Sequence, residues 1–291
     1  MPRLLLAFLL MVSLLATLMA QQPKGPLGAE SAAALYEKGM NALMGTGISH
    51  HDVQALDYIR RSAQAGYGPA QVALGYFEET GSLTAREPQE AAQDYRKAAL
   101  HGDRLAQWVL GRLYYTGDAA PIRDLNEAEK WLKQAASQGD PFGAHVLGVV
   151  RLERQDYPSA AKWFRAAAEQ GLPQAQQQLG LLLKDGRGVP ADKFEAYVWL
   201  LLSLEEGGRG EHRETAARTA AVGGAPADIG DVLNRLEADL GTAQTEQAKS
   251  RVRELQASVS RAVTAHGCTG WPGEFDAIPA TPPPDLHKFC R

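Results

Sequence analysis

The chain has 291 residues, with 30 basic against 34 acidic side chains for a net charge of −4, 45% hydrophobic and 22% charged content. That balance lacks the basic surplus of a nucleic-acid binder, and the apolar fraction excludes wholesale disorder. Two cysteines exclude a disulfide-dense mini-scaffold and a four-Cys zinc site, while 7% aromatics among abundant Ala, Leu, Gln and Glu disfavour a sheet-dominated fold.

Residues 1–20 read as an export address. Arg3 supplies a positive start, and Leu4 to Ala20 is an uncharged apolar run ending in a small residue. This is the layout of a secretory signal peptide cut before Gln21, although Leu18 is larger than the residue usually preferred there. An uncleaved inner-membrane anchor facing the periplasm is one alternative, since the run nearly spans a bilayer, and secretion is another. No later stretch is apolar for long enough to span one. Export to the periplasm is therefore the expectation, with no membrane insertion once the signal is removed. Residues 21–30, rich in Pro and Gly at Pro23, Gly25, Pro26 and Gly28, read as a linker.

From residue 31 a period near 36 residues takes over. Gly66, Gly102, Gly139, Gly171 and Gly207 each lie eleven residues after an alanine: Ala55, Ala91, Ala128, Ala160 and Ala196. Eight residues before each stand Tyr58, Asp94, Trp131, Trp163 and Trp199. A second glycine series precedes these at Gly39, Gly75, Gly111, Gly148 and Gly180, with Ala34, Ala70, Ala106, Gly143 and Ala175 five residues earlier. Such self-similarity marks a helical repeat array. Each copy predicts two helices. The first carries small-xxx-Leu-Gly, whose interior glycine costs about 1 kcal/mol of propensity unless a neighbouring backbone must come close. The second carries Ala-xx-Trp-xxx-Ala-Ala on one face, and Trp131 and Trp163 are expected to fill the space opposite the small residues. Asp124, Asp156 and Asp192 stand where N-caps are needed. Gly102, Gly139 and Gly171 close second helices, and Pro69, Pro141 and Pro173 open the next first helices.

These copies resemble Sel-one-like repeats, a branch of the tetratricopeptide class. The fifth, with its Leu-Gly, Gly-x-Gly-Val loop, Asp192, Ala196 and Trp199, carries the resemblance best, and the fourth lacks the Gly-x-Gly loop altogether. The array covers residues 31–208, divided 31–66, 67–102, 103–139, 140–171 and 172–208. The resemblance implies an all-α, right-handed α-solenoid of about five helix-turn-helix repeats with C-terminal capping helices. It also implies a protein that binds other proteins without chemistry of its own. Stacked pairs leave a curved surface. By analogy with tetratricopeptide geometry, the positions three before and one after the second-series glycine face it: Tyr36 and Met40, Val72 and Tyr76, Trp108 and Arg112, His145 and Val149, Gln177 and Leu181. Tyr36, Tyr76, Trp108, Arg112, Tyr115 and His145 are the candidate partner-binding residues, being of types found at binding hot spots or lying on that face. Packing between repeats is the competing role for Trp108 and Tyr36.

Residues 209–265 are expected to cap the array. Gly210 to Val222 reads as a short helix. Ile229, Val232, Leu233, Leu236 and Leu240 share helical spacing, and Thr242 is placed to start a further helix with Ala248, Val252, Leu255 and Val259 on one face. Residues 266–291 form a Pro-rich tail carrying Cys268 and Cys290, which an oxidising compartment would favour as a disulfide. Free thiols or an intermolecular bridge are the alternatives.

Motifs for catalysis are missing: the sequence has no GxSxG, phosphate loop, HExxH or CxxC. His50 and His51 beside Asp52 lack a spaced third ligand and read as a loop. No catalytic residue, metal or cofactor is assigned. The leading reading is a non-catalytic exported repeat protein holding a protein or peptide in its groove, as an envelope regulator or assembly scaffold. A cell-envelope hydrolase acting on β-lactams or peptidoglycan is the alternative. Cysteine-rich relatives linked to β-lactam hydrolysis place Cys pairs in each repeat, and no repeat here contains a Cys. The sequence leaves the oligomeric state open.

Overall fold

The structure is a computed structural model that describes residues 30–44, 50–118, 123–207 and 228–265. Among these residues there are eleven helices and no strand. They are α1 (Ala32–Met44), α2 (His50–Gln64), α3 (Gly68–Thr80), α4 (Pro88–Leu100), α5 (Arg104–Thr116) and α6 (Leu125–Ser137). There follow α7 (Pro141–Glu153), α8 (Tyr157–Ala168), α9 (Pro173–Asp185), α10 (Lys193–Gly207) and α11 (Ile229–Ala265). The expected signal peptide, most of the linker, the 210–222 helix and the cysteine-bearing tail lie outside the described residues. His50 and His51 open α2 instead of lying in a loop.

Capping chemistry sets the helix boundaries. The Asp124 carboxylate accepts from the backbone N–H groups of Asn126 and Glu127 at 2.9 and 3.1 Å. Asp156 accepts from Ser159 at 3.3 Å, and Asp192 from Glu195 at 3.0 Å. Asp103 and Asp140 do the same for first helices, at 2.8 Å from Ala106 and 2.7 Å from Gly143. Each cap contributes about 1 kcal/mol. Gly102, Gly139 and Gly171 take left-handed φ values of 89°, 82° and 87° just beyond the second helices. Between the helices of a repeat, Gly81, Gly117 and Gly186 serve the same purpose. The fourth repeat, which lacks that loop, turns on Gln155 at φ 59°, the one non-glycine with positive φ among the described residues.

Every helix packs on the next in chain order, and α5 also touches α7 directly. The molecule is therefore an all-α solenoid of paired helices. The second-series glycines are the points of closest approach. A Cβ on Gly111 would stand 2.6 Å from Leu132 Cγ, on Gly148 2.7 Å from Phe164 Cδ1, on Gly180 2.7 Å from Leu200 Cγ, and on Gly39 2.6 Å from Ile59 Cγ1. Gly75 meets Tyr95 at 3.2 Å. The side chain filling each glycine notch thus lies four residues after the second-helix alanine, one later than Trp131 and Trp163. The expectation for those tryptophans is corrected by one residue, which is about 100° of helix rotation. Trp131 is buried beside the notch with its indole N–H donated to Glu127 at 3.0 Å, and Trp163 is half-buried between the cores of successive repeats.

The last pair shows what stacking requires. Tyr197, Val198, Trp199, Leu200 and Leu202 make α10 apolar on nearly every side, which a helix tolerates only when covered on both flanks. α9 covers one flank and α11 the other. α11 bends at Gly241 (φ 74°, ψ 168°), a conformation restricted to glycine, so that Leu233 and Leu236 before the bend and Ala248 and Val252 after it enter one core. Ile229, Val232, Leu240 and Leu255 pack at its edge.

Candidate functional site: the first-helix ridge

The first helices of neighbouring repeats come close enough for side chains to join across the joint. Tyr36, Trp108 and His145, three residues before their glycines, are closed off at 6%, 4% and 6% exposure. Met40, Val72 and Val149 are buried as well. The expectation that these positions line an open face is therefore corrected. The cause is local: helix side chains lean toward the N-terminus, and the start of the next first helix covers Tyr36 and Trp108. Phe142 at the start of α7 stacks on Trp108 with ring centroids 5.4 Å apart, and Tyr67, capping α3, lies 5.5 Å from Tyr36. His145 packs 5.8 Å from Phe164, and burial lowers its pKa to about 4, keeping the ring neutral.

Tyr76, Arg112 and Tyr115 remain half-exposed, as do Gln177 and Leu181. Two polar knots hold this ridge. In the first, Glu79 on α3 accepts from the Arg112 guanidinium of α5 and from the Tyr95 hydroxyl of α4 at 3.1 Å. Arg112 also lies over the Trp108 ring. In the second, Glu153 on α7 accepts from the Tyr115 hydroxyl at 2.7 Å and from the Arg123 guanidinium through both oxygens at 2.7 Å. Arg123 stacks over Tyr115, 4.4 Å from the ring centre, and donates through Nε to the Tyr115 carbonyl at 2.6 Å. Burial, then Glu79, pushes the Tyr76 hydroxyl up to about 12. Burial and the Glu153 hydrogen bond raise Tyr115 further. Both phenols stay protonated at neutral pH, with the Tyr115 proton held by Glu153. Such a ridge offers ring faces and fixed donors, the chemistry of recognition.

Glu79 and Glu153 were not singled out by the repeat pattern, because each occurs once at its position, whereas Arg123 has a counterpart in Arg86, five residues before the second-helix alanine and bonded the same way to the Glu79 carbonyl. A second missed feature had a signal. Gln71, Gln107 and Gln176 all follow an alanine and stand four residues before the glycine. Their amides donate to the carbonyls of Ala63, Ala99 and Ala168 at 3.3, 3.1 and 3.3 Å, tying each first helix to the preceding second helix. Among the described residues no group of three or more His, Cys, Asp or Glu is placed to hold a metal ion, and no helix is long and apolar enough to cross a membrane.

Comparison with known proteins agrees with this architecture. The Sel1 repeat profile matches residues 32–67, 68–103, 104–140, 148–172 and 173–208. Among solved structures, the chain is similar to c5321, a protective antigen of uropathogenic Escherichia coli with an SLR fold. The TM-score is 0.56 at 24% identity, covering 82% of this chain and 57% of that one. A Sel1 repeat protein from Oxalobacter formigenes also has a TM-score of 0.56, at 22% identity, covering 71% and 84%. Among curated proteins, chitin synthase regulator SKT5 of Malassezia restricta is 31% identical over 118 residues, and that of Saccharomyces cerevisiae 32% over 96. These matches take in 38% and 32% of this chain but only 8% and 14% of the regulators. Repeats of this kind generally mediate protein–protein interaction. With five copies matched over most of the length, on the same glycines and caps that build the stack, the chain belongs to the Sel1 repeat family.

Proposed function

We propose that the protein is an exported, non-catalytic scaffold that holds a protein or peptide partner in the concave groove formed by the first helices of its repeats. The observation that carries this reading is the ridge of Tyr76, Arg112 and Tyr115, half-exposed in adjacent repeats and fixed from beneath by Glu79 and Glu153. Side chains already held in place lose little entropy on binding, so more of the contact energy appears as affinity. Tyr36, Trp108 and His145 act beneath the ridge, by setting the spacing of the helices that carry it. The apolar run at 1–20 supports export to an envelope compartment, and the pairing of Cys268 with Cys290 belongs to the same reading. The names of the fungal relatives support a regulatory task, in which a partner enzyme or assembly factor is held in place.

The test is photo-crosslinking in the producing cell from a probe amino acid placed at Gln177, on the first helix of the fifth repeat farther along the same row, with partners identified by mass spectrometry. Tyr76→Ala with Tyr115→Ala should reduce the crosslinked product at least about tenfold while the helical signal is kept, since hot-spot truncations cost 2 kcal/mol or more. Lys133→Ala, on an exposed position of α6, should leave it unchanged. Equal crosslinking in all three proteins would rule out the ridge as the binding surface. A mature N-terminus at Gln21 in the exported fraction is the expected result for the address; an intact Met1 in the cytosol would remove it.

A further inference from the structure

In the third and fourth repeats the position three residues after the first-helix glycine ties the pair to the one before it. In the third repeat it is Tyr114, whose hydroxyl takes a hydrogen bond from Arg96 of α4. In the fourth it is Arg151, paired with Glu129 of α6. In the second repeat it is Glu78, and α2 offers Arg60, which stands five residues after Ala55 as Arg96 stands after Ala91. Yet Arg60 donates to Thr84 Oγ1 at 3.3 Å, and Glu78 Oε2 is buried with no hydrogen-bond partner. Glu78 as a residue is at 9% exposure.

What faces Glu78 is mostly of its own sign. Asp94 of α4, at 7% exposure, occupies the position where the other repeats place Tyr58, Trp131, Trp163 and Trp199. Asp94 is itself paired with Lys97. Glu87 and Glu90, entering and within the first turn of α4, add two more carboxylates. From α2 only Arg60 acts against them. Arg86 of the intervening loop is turned to the Glu79 carbonyl, at 3.1 Å. Among the described residues no other repeat joint buries a carboxylate that lacks a partner.

We propose that Glu78 is a proton-binding switch where α3 meets α4 beside the joint with the first repeat: neutral, its carboxyl lets α3 and α4 close around it, and ionised, it repels Asp94, Glu87 and Glu90 and loosens that contact. Burial, followed by Asp94 and Glu87, raises the group from 4.5 to about 7, with Arg60 opposing. The sign follows. The folded chain holds a proton that the unfolded chain has released, so Glu78 favours the joint fully below 4.5 and progressively less as pH rises from there. That advantage is lost as pH rises through about 7. The switch is a property of the joint and stands apart from the scaffold reading.

Hydrogen exchange of the full chain, corrected for intrinsic rates and read peptide by peptide, tests it at about pH 6 and about pH 8. Peptides from α2, α3 and α4 should lose protection by about tenfold at the higher pH, while those from α9 and α10 keep theirs. Glu78→Gln, neutral and of the same shape, should hold α2–α4 at the protected level at both values. Asp94→Asn should move the transition to lower pH. Equal protection of the natural α2–α4 at both values, or the same loss persisting in Glu78→Gln, would overturn the switch.

Discussion

Gly111 is where helix propensity and packing disagree most sharply. Alanine there would improve α5 by about 1 kcal/mol as an isolated helix. In the stack its methyl would stand 2.6 and 2.8 Å from Leu132 side-chain atoms and 3.1 Å from the Leu132 backbone nitrogen. The side chain can rotate away, but the backbone can yield only by moving α6. Overpacking of this kind costs about 1–3 kcal/mol beyond what propensity returns. Gly111→Ala should therefore lower the melting temperature. Gly75→Ala should be milder, because its nearest contacts are at 3.2 Å. A pair of melting curves checks both the sign and the order. Gln155 is the opposite case, a side chain accepted at φ 59° because the shortened fourth repeat leaves no room for the glycine-bearing loop of its neighbours.

Between elements, the recurring tie is a glutamine amide reaching a carbonyl at the end of the preceding helix. Gln107 is the fullest example. It donates to the Ala99 carbonyl at 3.1 Å and accepts from Gln138 Nε2 at 2.7 Å, so three helices meet at one buried amide. Gln107→Leu keeps most of the volume and removes both bonds, at an expected cost of about 1–2 kcal/mol. Gln107→Glu should cost more at neutral pH, since it sets a buried charge against a carbonyl, and should recover part of that loss on acidification. Chemical denaturation of the two variants at neutral and mildly acidic pH separates a hydrogen-bonding role from a space-filling one. The fourth repeat carries Ala144 at this position and relies instead on the Arg151–Glu129–Arg154 cluster at its joint with the third.

At the scale of the whole molecule, stability is a chain of neighbour terms, so pH acts on it locally. Burial lowers His145 from 6.5 to about 4. Its contribution is complete above pH 6.5 and lost as pH falls through that window, because the unfolded chain takes the proton first. Asp140, the N-cap of the same helix five residues earlier, is raised by burial from 3.8 to about 6, against the pull of the Gly143 N–H and Arg104. Its contribution therefore runs the other way, growing as pH falls. His145→Phe should remove the destabilising acid limb and gain, relative to the natural chain, on the order of 2 kcal/mol near pH 4. Unfolding followed by helix signal across that range checks it. An acid limb unchanged in the variant would mean that another group carries it.

The repeat period, the helix ends and the glycine notches could be read from residues, because each depends on chemistry within a few positions of the chain. An Asp at the start of a helix caps it whatever lies beyond, and a glycine repeated against propensity announces a close neighbour. Which side chain fills the notch depended on helix rotation, which is why Leu132 and Phe164 hold the places expected of Trp131 and Trp163. Exposure of Tyr36 and Trp108 depended on the start of the following repeat, and that of His145 on Phe164 of the paired helix, neighbours that intrachain spacing does not specify. The knots at Glu79 and Glu153, and the unpaired carboxyl of Glu78, exist only once two repeats are laid side by side. Local pattern thus determined that this chain stacks paired helices, while tertiary contact alone decided which of its side chains are left for a partner, since burial is a relation between segments and not a property of either one.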